Sequence, residues 1–268
     1  MRLRNLLLSR SDAAAREYTH PLCEGGVLHD GECNICGSRQ GFCYTTANHP
    51  REGYHCLDCG SSARDRQLIK TLGLALGMSG PLESWPRQAL TLLETSGYRA
   101  TPSRLNAKFR YINLMYESMG IDNCVQGNLS CLGLGDDSLD ILLTSDVFEH
   151  VREDEPAWRE VYRVLKPGGY VLLQVPALGE FATTQVRVEL RGDEDVFLME
   201  PEYHAENTLV YRNYGNDLIE SLRKLGFAVV AMRWRDPAHC ISEQTIAVCQ
   251  KAPYVTLGPS KLSDRAWT

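Results

Sequence analysis

The chain has 268 residues, of which 43% are hydrophobic, and a formal net charge of −6 at pH 7. This length accommodates one large domain and a small one, and no apolar run approaches the length of a transmembrane span. The acidic balance disfavours a protein that wraps nucleic acid through a broad basic surface, although a local basic patch stays compatible with it.

Residues 1–30 form an amino-terminal extension. Their apolar run, Leu6–Leu8, is too short for the core of a signal peptide, and a transit peptide is an open alternative. Without an export signal, the ten cysteines indicate metal ligands and buried free thiols rather than a disulfide framework. The sequence therefore predicts a cytoplasmic protein.

Two cysteine pairs with the spacing C-x2-C stand nineteen residues apart in residues 31–62. This spacing is typical of a zinc ribbon, in which two knuckles bring four thiolates to one tetrahedral Zn²⁺ ion. Gly37 and Gly60 directly follow the pairs, where the backbone curls its amides toward sulfur. Because four cysteines leave no open coordination position, the predicted site stabilises the fold and performs no chemistry. The predicted ligands are Cys33, Cys36, Cys56 and Cys59.

Further potential ligands lie near the ribbon but form no second paired spacing, so we expect them to be packed or exposed side chains: Cys23, Cys43, His49 and His55. Residues 31–70 hold five Lys or Arg and four acids, a net charge of +1. This balance disfavours a ribbon that serves mainly to bind RNA.

Residues 63–87 are predicted to connect the ribbon to a larger domain. A serine pair precedes an apolar pattern at helical spacing, which predicts a capped helix that reaches about Gly77. Pro81 and Pro86 then mark a linker.

The larger domain, residues 88–251, begins with alternating strands and helices. Ala89–Glu94 is predicted to be the first strand and Phe109–Met115 the second, with a helix between them from about Pro102.

Two apolar runs later in this domain, Leu139–Thr144 and Tyr170–Val175, are typical of parallel strands that are covered on both faces. Between them, apolar residues at helical spacing predict an amphipathic helix that the sequence Lys166-Pro167-Gly168-Gly169 ends. This pattern indicates one half of a doubly wound α/β sheet.

The remaining elements complete the predicted sheet. Tyr211–Leu225 is predicted to be an amphipathic helix, Phe227–Trp234 the sixth strand and Ile246–Cys249 the seventh. The tail, residues 252–268, has turn residues and little periodicity. The predicted fold class is α/β, with a Rossmann-like seven-stranded sheet behind a small amino-terminal zinc ribbon.

Three parts of the larger domain resemble the class I S-adenosylmethionine-dependent methyltransferases of the methyltransferase type 11 kind. Asp140 and Ser145–Val151 match the family motif D-x6-V-L-E-H-V, and Leu165–Gly169 matches its motif L-K-P-G-G. The resemblance implies the class I methyltransferase sheet and S-adenosylmethionine as the cofactor.

The chain is also similar to a subgroup of bacterial methyltransferases that carry a cysteine ribbon ahead of the catalytic domain. The similar features are the sequence C-x2-C-G-S followed by Arg64-x-Arg66, and two later segments, residues 197–204 and 211–215. With these features the resemblance extends over roughly residues 31–250.

The resemblance implies that the cofactor lies at the end of the first strand. The family has E/D-x-G-x-G-x-G there, because the backbone must press against the methionine part of the cofactor. Here Glu94 is kept and Gly97 lies one place out of register. Ser96, Tyr98 and Ala100 stand at the glycine positions. We interpret the loop as a variant pocket in which Glu94, Ser96 and Gly97 bind the cofactor; a lost pocket is the alternative.

Three more residues are expected to contact the cofactor. Glu117, 23 residues after Glu94, is expected to accept hydrogen bonds from the ribose hydroxyls, and a surface glutamate is the alternative. By resemblance, Asn128 replaces an adenine-facing Asp and keeps a hydrogen-bond acceptor, while Leu129 supplies its backbone amide to the ring.

Ser145 and Asp146 stand at the carboxyl end of a predicted parallel strand, the edge where open α/β sheets place ligands. We therefore add them to the predicted cofactor-binding residues. His150 follows on the same loop as a candidate general base, with capping or packing as its alternative role.

Tyr203 and His204 are the other candidate catalytic residues, together with Glu202, in an insertion where class I enzymes often build a lid over the acceptor. A base is needed only when the acceptor is a hydroxyl or an acidic carbon. Residues 193–206 hold six acids and no Lys or Arg, so a solvated acidic loop is the alternative. Acids around His204 favour its charged form, which weakens it as a base.

The sequence thus predicts a methyltransferase (EC 2.1.1) that transfers a methyl group from S-adenosylmethionine to a small-molecule or glycan acceptor and holds a structural Zn²⁺ ion. The acidic insertion would repel an anionic acceptor, so neither nucleic acid nor a membrane is an expected partner. An RNA methyltransferase guided by the ribbon and a non-catalytic zinc-binding scaffold are the alternatives.

Overall fold

The computed structural model describes residues 26–44, 51–116, 124–204 and 207–252. The amino-terminal module is a three-stranded antiparallel sheet, with the second strand in the middle. Its strands are Val27–His29 (β1), Phe42–Tyr44 (β2) and Tyr54–Cys56 (β3). Within the described residues, β1 therefore lies in the stretch that was predicted as an extension.

Helix α1, Ala63–Leu76, leads from the ribbon to the main sheet. Ser62 and Asp65 form a reciprocal capping box, since each side chain accepts a hydrogen bond from the backbone N–H of the other residue. Gly77 ends the helix in the left-handed conformation, with φ 69°. The predicted helix is confirmed, and a 3-10 turn, Leu82–Ser84, follows it.

Five parallel strands come next along the chain: Thr91–Thr95 (β4), Arg110–Met115 (β5), Cys124–Gln126 (β6), Leu139–Ser145 (β7) and Leu165–Gln174 (β8). Helix α2, Pro102–Lys108, connects β4 to β5, and helix α3, Asp154–Val164, connects β7 to β8. A 3-10 turn, Phe148–His150, lies between β7 and α3.

The LKPGG segment belongs to β8 and is not a separate turn before it. Leu165 pairs with Leu139, and Tyr170 already pairs with Ile141. The intervening residues therefore bulge from the parallel ladder, with Gly168 at φ 80°. As a result, α3 passes directly into the strand.

Short antiparallel hairpins form an insertion after β8. Their strands are Gln185–Val186 (β9), Val188–Arg191 (β10), Glu194–Phe197 (β11), Tyr203–His204 (β12), Thr208–Leu209 (β13) and Arg212–Asn213 (β14). β10 pairs with β11, β12 with β13, and β14 with β9.

The helix predicted over Tyr211–Leu225 is wrong in its first part, because helix α4 spans only Asp217–Leu225. The residues before it include β14, where the Arg212 guanidinium donates hydrogen bonds to the backbone oxygens of Val151 (2.5 Å) and Arg152 (2.8 Å). These bonds hold the segment extended. The spacing of apolar residues along a segment does not depend on such long-range bonds, so it could not predict them.

Two long strands, Phe227–Asp236 (β15) and Ile241–Lys251 (β16), complete the sheet as an antiparallel hairpin. β16 also pairs antiparallel with β8. Among the described residues, the sheet has seven strands in the order β15-β16-β8-β7-β4-β5-β6. The predicted Rossmann-like seven-stranded α/β fold is confirmed, and both final strands extend beyond their predicted ends.

Helices cover both faces of this sheet. Side chains of α3 and α4, such as Trp158 and Leu222, pack in one hydrophobic cluster. On the other face, Ile69 of α1 packs in a cluster that also holds Phe42 of the ribbon and Leu143 of β7. The ribbon and the sheet therefore share one core. No helix within the described ranges is both long and apolar enough to span a membrane.

Arg66 of α1 fixes the ribbon to the end of the main sheet. Its side chain is fully buried, and its guanidinium donates hydrogen bonds to the backbone oxygens of Tyr54 (2.7 Å), His239 (2.8 Å) and Cys240 (3.0 Å). It also lies 4.3 Å from the centre of the Phe42 ring. A planar group with five N–H donors suits this set of carbonyl acceptors, which a lysine could not satisfy.

Candidate functional site

The four predicted zinc ligands converge at the ribbon. The sulfur atoms of Cys33 and Cys59 are 3.8 Å apart and those of Cys36 and Cys56 are 3.7 Å apart. All four sulfurs lie within 4.8 Å of one another. Four thiolates at about 2.3 Å from a tetrahedral Zn²⁺ ion would be about 3.8 Å apart, so this set fits the ion.

The backbone around these cysteines forms two knuckles. Gly37 N–H donates to Cys33 O (2.8 Å), and Gly60 N–H donates to Cys56 O (2.9 Å). Both glycines have φ 72°, a left-handed conformation that glycine adopts without strain. Cys43, by contrast, takes part in a disulfide, so the prediction of free thiols does not hold for it.

A cavity of about 190 Å³ lies at the carboxyl ends of β4 and β7. One wall consists of residues 94–99 and Ser145, so it contains four predicted cofactor residues: Glu94, Ser96, Gly97 and Ser145. The opposite wall comes from the ribbon and α1, including Glu52, His55 and Arg64. Sequence reasoning missed this second wall, because no local motif indicates that the ribbon folds over the sheet edge.

Glu94 is a buried carboxyl group at the base of this cavity. Thr101 Oγ1 donates to its Oε1 (2.7 Å), and the Tyr111 hydroxyl donates to its Oε2 (2.5 Å). Burial raises the pKa of Glu94 to about 7, although both hydrogen bonds oppose that shift. A Cβ atom at Gly97 would lie 2.3 Å from Glu94 Oε2, so the carboxyl group requires a glycine beside it.

The Glu94→Gln variant is expected to change how stability depends on pH. The raised pKa means that the folded state binds a proton more tightly than the unfolded chain, so wild-type stability falls as pH rises from about 4.5 to 7 and is level above. Gln carries no such proton. The free energy of unfolding of the variant should therefore increase relative to that of the wild type as pH rises, by about 3 kcal/mol over the whole range.

Urea unfolding at several pH values between about 5 and 8.5 measures most of this difference. Glu180→Gln, at an exposed position, is the matched control and should give a constant difference. A constant difference for Glu94→Gln would contradict the prediction.

The loop after Glu94 has other residues at the glycine positions of the family motif, and two of its residues adopt left-handed conformations. Ser96 and Arg99 adopt positive φ values of 54° and 56°. Left-handed conformations cost energy for residues with a Cβ atom, and such strain is often found at binding sites. The loop is also tied to β5, since Gly97 N–H donates to Asn113 Oδ1 (3.0 Å).

Asp146 lies next to the cavity, and its side chain is held by the ribbon side. Its carboxylate forms ion pairs with Arg51 (2.8 Å) and with Arg64. Burial opposes the charge of Asp146, but the two guanidinium groups outweigh it and hold the pKa of Asp146 below its ordinary value. Ser145 Oγ donates to Gln174 Oε1 (3.0 Å).

The remaining predicted cofactor residues are not part of this cavity wall. Asn128 is exposed, and its Oδ1 accepts a hydrogen bond from Ser130 N–H (2.9 Å). The Leu129 side chain is buried in the hydrophobic core. Glu117 lies outside the described residues.

A second group of polar side chains lies at the same edge of the sheet, after β7. His150 Nε2 is 3.2 Å from His204 Nδ1, and Glu149 Oε1 lies 3.7 Å and 3.8 Å from these two nitrogens. Two of the predicted catalytic residues, His150 and His204, are thus brought together. Tyr203 is 54% exposed and lies outside this group.

Burial shifts the pKa of two members of this group. It raises the pKa of Glu149 to about 8, with nearby Asp146 adding to the shift, and it lowers the pKa of His150. Sequence reasoning placed Glu149 only within the E-H motif and gave it no role. Its burial depends on chain segments far away in sequence.

Two arginines offset part of the negative charge of residues 193–206. Arg152 pairs with Asp195 (2.8 Å), and Arg187 pairs with Glu202 (3.1 Å). Both arginines come from outside residues 193–206, so a count along that segment misses them.

Comparison with protein families shows that residues 88–173 match the methyltransferase domain family. This segment runs from just before β4 to the end of β8 and therefore includes one wall of the cavity. A comparison with curated proteins finds no match.

Among solved structures, the 1,6-didemethyltoxoflavin-N1-methyltransferase of Burkholderia thailandensis, with bound 1,6-didemethyltoxoflavin and S-adenosylhomocysteine, is 15% identical. The match covers 69% of this chain and 77% of that chain, with a TM-score of 0.44. An S-adenosylmethionine-dependent methyltransferase from Mesorhizobium loti is 14% identical over 71% of this chain and 99% of that chain, with a TM-score of 0.47. Residues 88–173 are thus similar to the methyltransferase domain, within a Rossmann-like fold of the class I methyltransferase type.

Proposed function

We propose that the protein is an S-adenosylmethionine-dependent methyltransferase that acts on a small-molecule or glycan acceptor and carries a structural Zn²⁺ ion in its ribbon. The observation that carries this proposal is the position of the cavity. It lies at the carboxyl ends of β4 and β7, where open α/β sheets bind ligands, and one of its walls belongs to the segment that matches the methyltransferase domain.

The cavity suits part of the cofactor. Its volume of about 190 Å³ is below the roughly 300–1,000 Å³ of typical ligand sites, so it would hold the methionine half. Glu94, Ser96, Gly97 and Ser145 would surround that half. We propose that the ribose and adenine extend toward the predicted contacts Glu117, Asn128 and Leu129, and that Asp146 acts by fixing the edge of the site.

Bound S-adenosylmethionine supplies an electrophilic methyl group on a sulfonium centre. The protein's part is to align the acceptor with that carbon and to exclude water. We propose that His150, His204 and Tyr203 lie on the acceptor side of the site. We expect the polar atoms of these side chains and of Glu149, which is buried beside the two histidines, to bind and orient the acceptor.

Calorimetric titration with S-adenosylmethionine and its demethylated product tests the proposal. We expect micromolar binding by the zinc-loaded wild type and at least a tenfold loss in Gly97→Ala, whose new Cβ would collide with Glu94. Gly135→Ala is the matched control, because no atom lies within 4 Å of a Cβ there. Absence of wild-type binding at millimolar ligand would reject the proposal in favour of a non-catalytic scaffold.

The acceptor class is tested by salt. Binding of an RNA acceptor would weaken steeply as salt rises, because cations are released from its phosphates. A small neutral acceptor should bind equally well between low and high salt. A steep salt dependence would favour an RNA methyltransferase instead.

A further inference from the structure

The group formed by Glu149, His150 and His204, here called the Glu-His-His cluster, contains a buried carboxyl group that has no hydrogen-bond partner among the described residues. The Glu149 side chain is only 1% exposed. Within the described part of the chain, neither of its two oxygens accepts or donates a hydrogen bond. A buried polar group left in this way is costly, so a ligand that binds it would contribute favourably.

The two histidines also direct one ring nitrogen each toward Glu149. His150 Nδ1 lies 2.8 Å from Leu209 O, and since a carbonyl only accepts, Nδ1 donates there and the neutral ring keeps its lone pair on Nε2. His204 Nε2 lies 3.2 Å from Glu202 Oε1, so the other ring nitrogen, Nδ1, faces the cluster. The two facing nitrogens, His150 Nε2 and His204 Nδ1, are 3.2 Å apart.

Three potential electron-pair donors therefore face one another. The separations of 3.2, 3.7 and 3.8 Å place a point equidistant from the three atoms at about 2.1 Å from each, the length of a zinc–nitrogen bond. We propose that Glu149, His150 and His204 bind one divalent first-row transition-metal ion, such as Zn²⁺ or Mn²⁺, separate from the zinc of the ribbon.

The surroundings of the cluster support this assignment. Metal-binding histidines usually donate their second N–H to a carboxylate or a backbone carbonyl, which fixes the ring and its tautomer. Glu202 and Leu209 fill these roles for His204 and His150. The His204 side chain is 34% exposed, so the ion would be reachable from solvent and three protein ligands would leave coordination positions open.

A role for the ion in methyl transfer rests on the proposed function. A hydroxyl acceptor bound at an open position would lose its proton to solvent more readily, because the cation lowers its pKa. Its oxygen lone pair would then form the bond to the methyl carbon. The carbon–sulfur bond would break with its electron pair leaving on sulfur, which yields a neutral thioether. In this arrangement the two histidines hold the ion and do not act as bases.

Titration with Mn²⁺ and, separately, with Zn²⁺ tests the site in protein whose ribbon is already loaded with zinc. We expect one additional ion per chain, and a rise in melting temperature on binding. His204→Ala and Glu149→Gln should each lose at least tenfold in affinity. Glu202→Gln should lose affinity by roughly 10- to 100-fold through its effect on His204. Glu180→Gln, which removes an exposed carboxylate outside the cluster, should bind the ion as the wild type does.

Two results would overturn the inference: no additional ion with either metal at millimolar concentration, or unchanged affinity in both His204→Ala and Glu149→Gln. Circular dichroism of each variant separates lost ligands from lost folding. All titrations are made without S-adenosylmethionine. Metal binding without cofactor binding would therefore support this site and contradict the proposed function. Cofactor binding without metal binding would support the proposed function and contradict this site.

Discussion

Replacement of both Cys33 and Cys56 by Ser is expected to remove one zinc ion per chain and to unfold the ribbon. Structural zinc contributes about 10–16 kcal/mol to small cysteine sites at neutral pH, more than the ribbon's three short strands can supply. Because Phe42 of the ribbon shares a core with Ile69 of α1, the loss should also lower the stability of the main domain.

Elemental analysis and thermal unfolding measure these effects. Cys131→Ser, which alters an exposed free cysteine, is the control and should keep its zinc and its melting temperature. The double variant should also bind S-adenosylmethionine more weakly, because Glu52, His55 and Arg64 form one wall of the cavity. An intact, zinc-free double variant with the wild-type melting curve would show that no metal stabilises the ribbon.

The Asp146→Asn variant is expected to lose about 3–5 kcal/mol of the free energy of unfolding, the usual cost of breaking a buried ion pair. The Asp146 side chain is 14% exposed and those of its partners Arg51 and Arg64 are 11% and 24% exposed. Asn preserves the shape and tolerates the positive φ of 51° at this position. The decrease in the free energy of unfolding would therefore result from the missing charge and not from a strained backbone.

The effect of Asp146→Asn should be constant across neutral pH. Because the pKa of Asp146 is lowered in the fold, its stabilisation is present above the ordinary Asp pKa and is lost only as pH falls below it. Urea unfolding from about pH 6 to 8.5 measures this. Glu32→Gln, which breaks the surface pair with the 81% exposed Arg39, should cost less than about 1 kcal/mol. Equal losses in the two variants would contradict the prediction.

Much of the fold could be predicted because its signals are local. The pattern of apolar runs and an amphipathic helix over residues 139–175 specified β7, α3 and the second half of β8, although β8 begins five residues earlier than predicted. The cysteine spacing brought four sulfurs together, and the serine and glycine at the ends of α1 marked its limits. Each of these features depends on residues close together in sequence.

The start of α4 could not be predicted in this way. Tyr211 and Tyr214 stand at helical spacing and led to a prediction that included them in α4. Arg212, however, donates hydrogen bonds to the backbone of Val151 and Arg152 and holds the segment extended. These bonds connect positions about sixty residues apart, which periodicity does not register.

The sequence by itself determined the α/β sheet, the cysteine cluster and the sheet edge at which Glu94 and Ser145 line the cavity, since strand ends and motif spacing carry that information. The tertiary structure alone decided the rest. It folded Arg51 and Arg64 onto Asp146, and it brought β12 against the loop after β7, so that Glu149 is buried between two histidines. The burial of these side chains and the charged groups next to them result from packing between distant segments, and both shift the pKa values of the site.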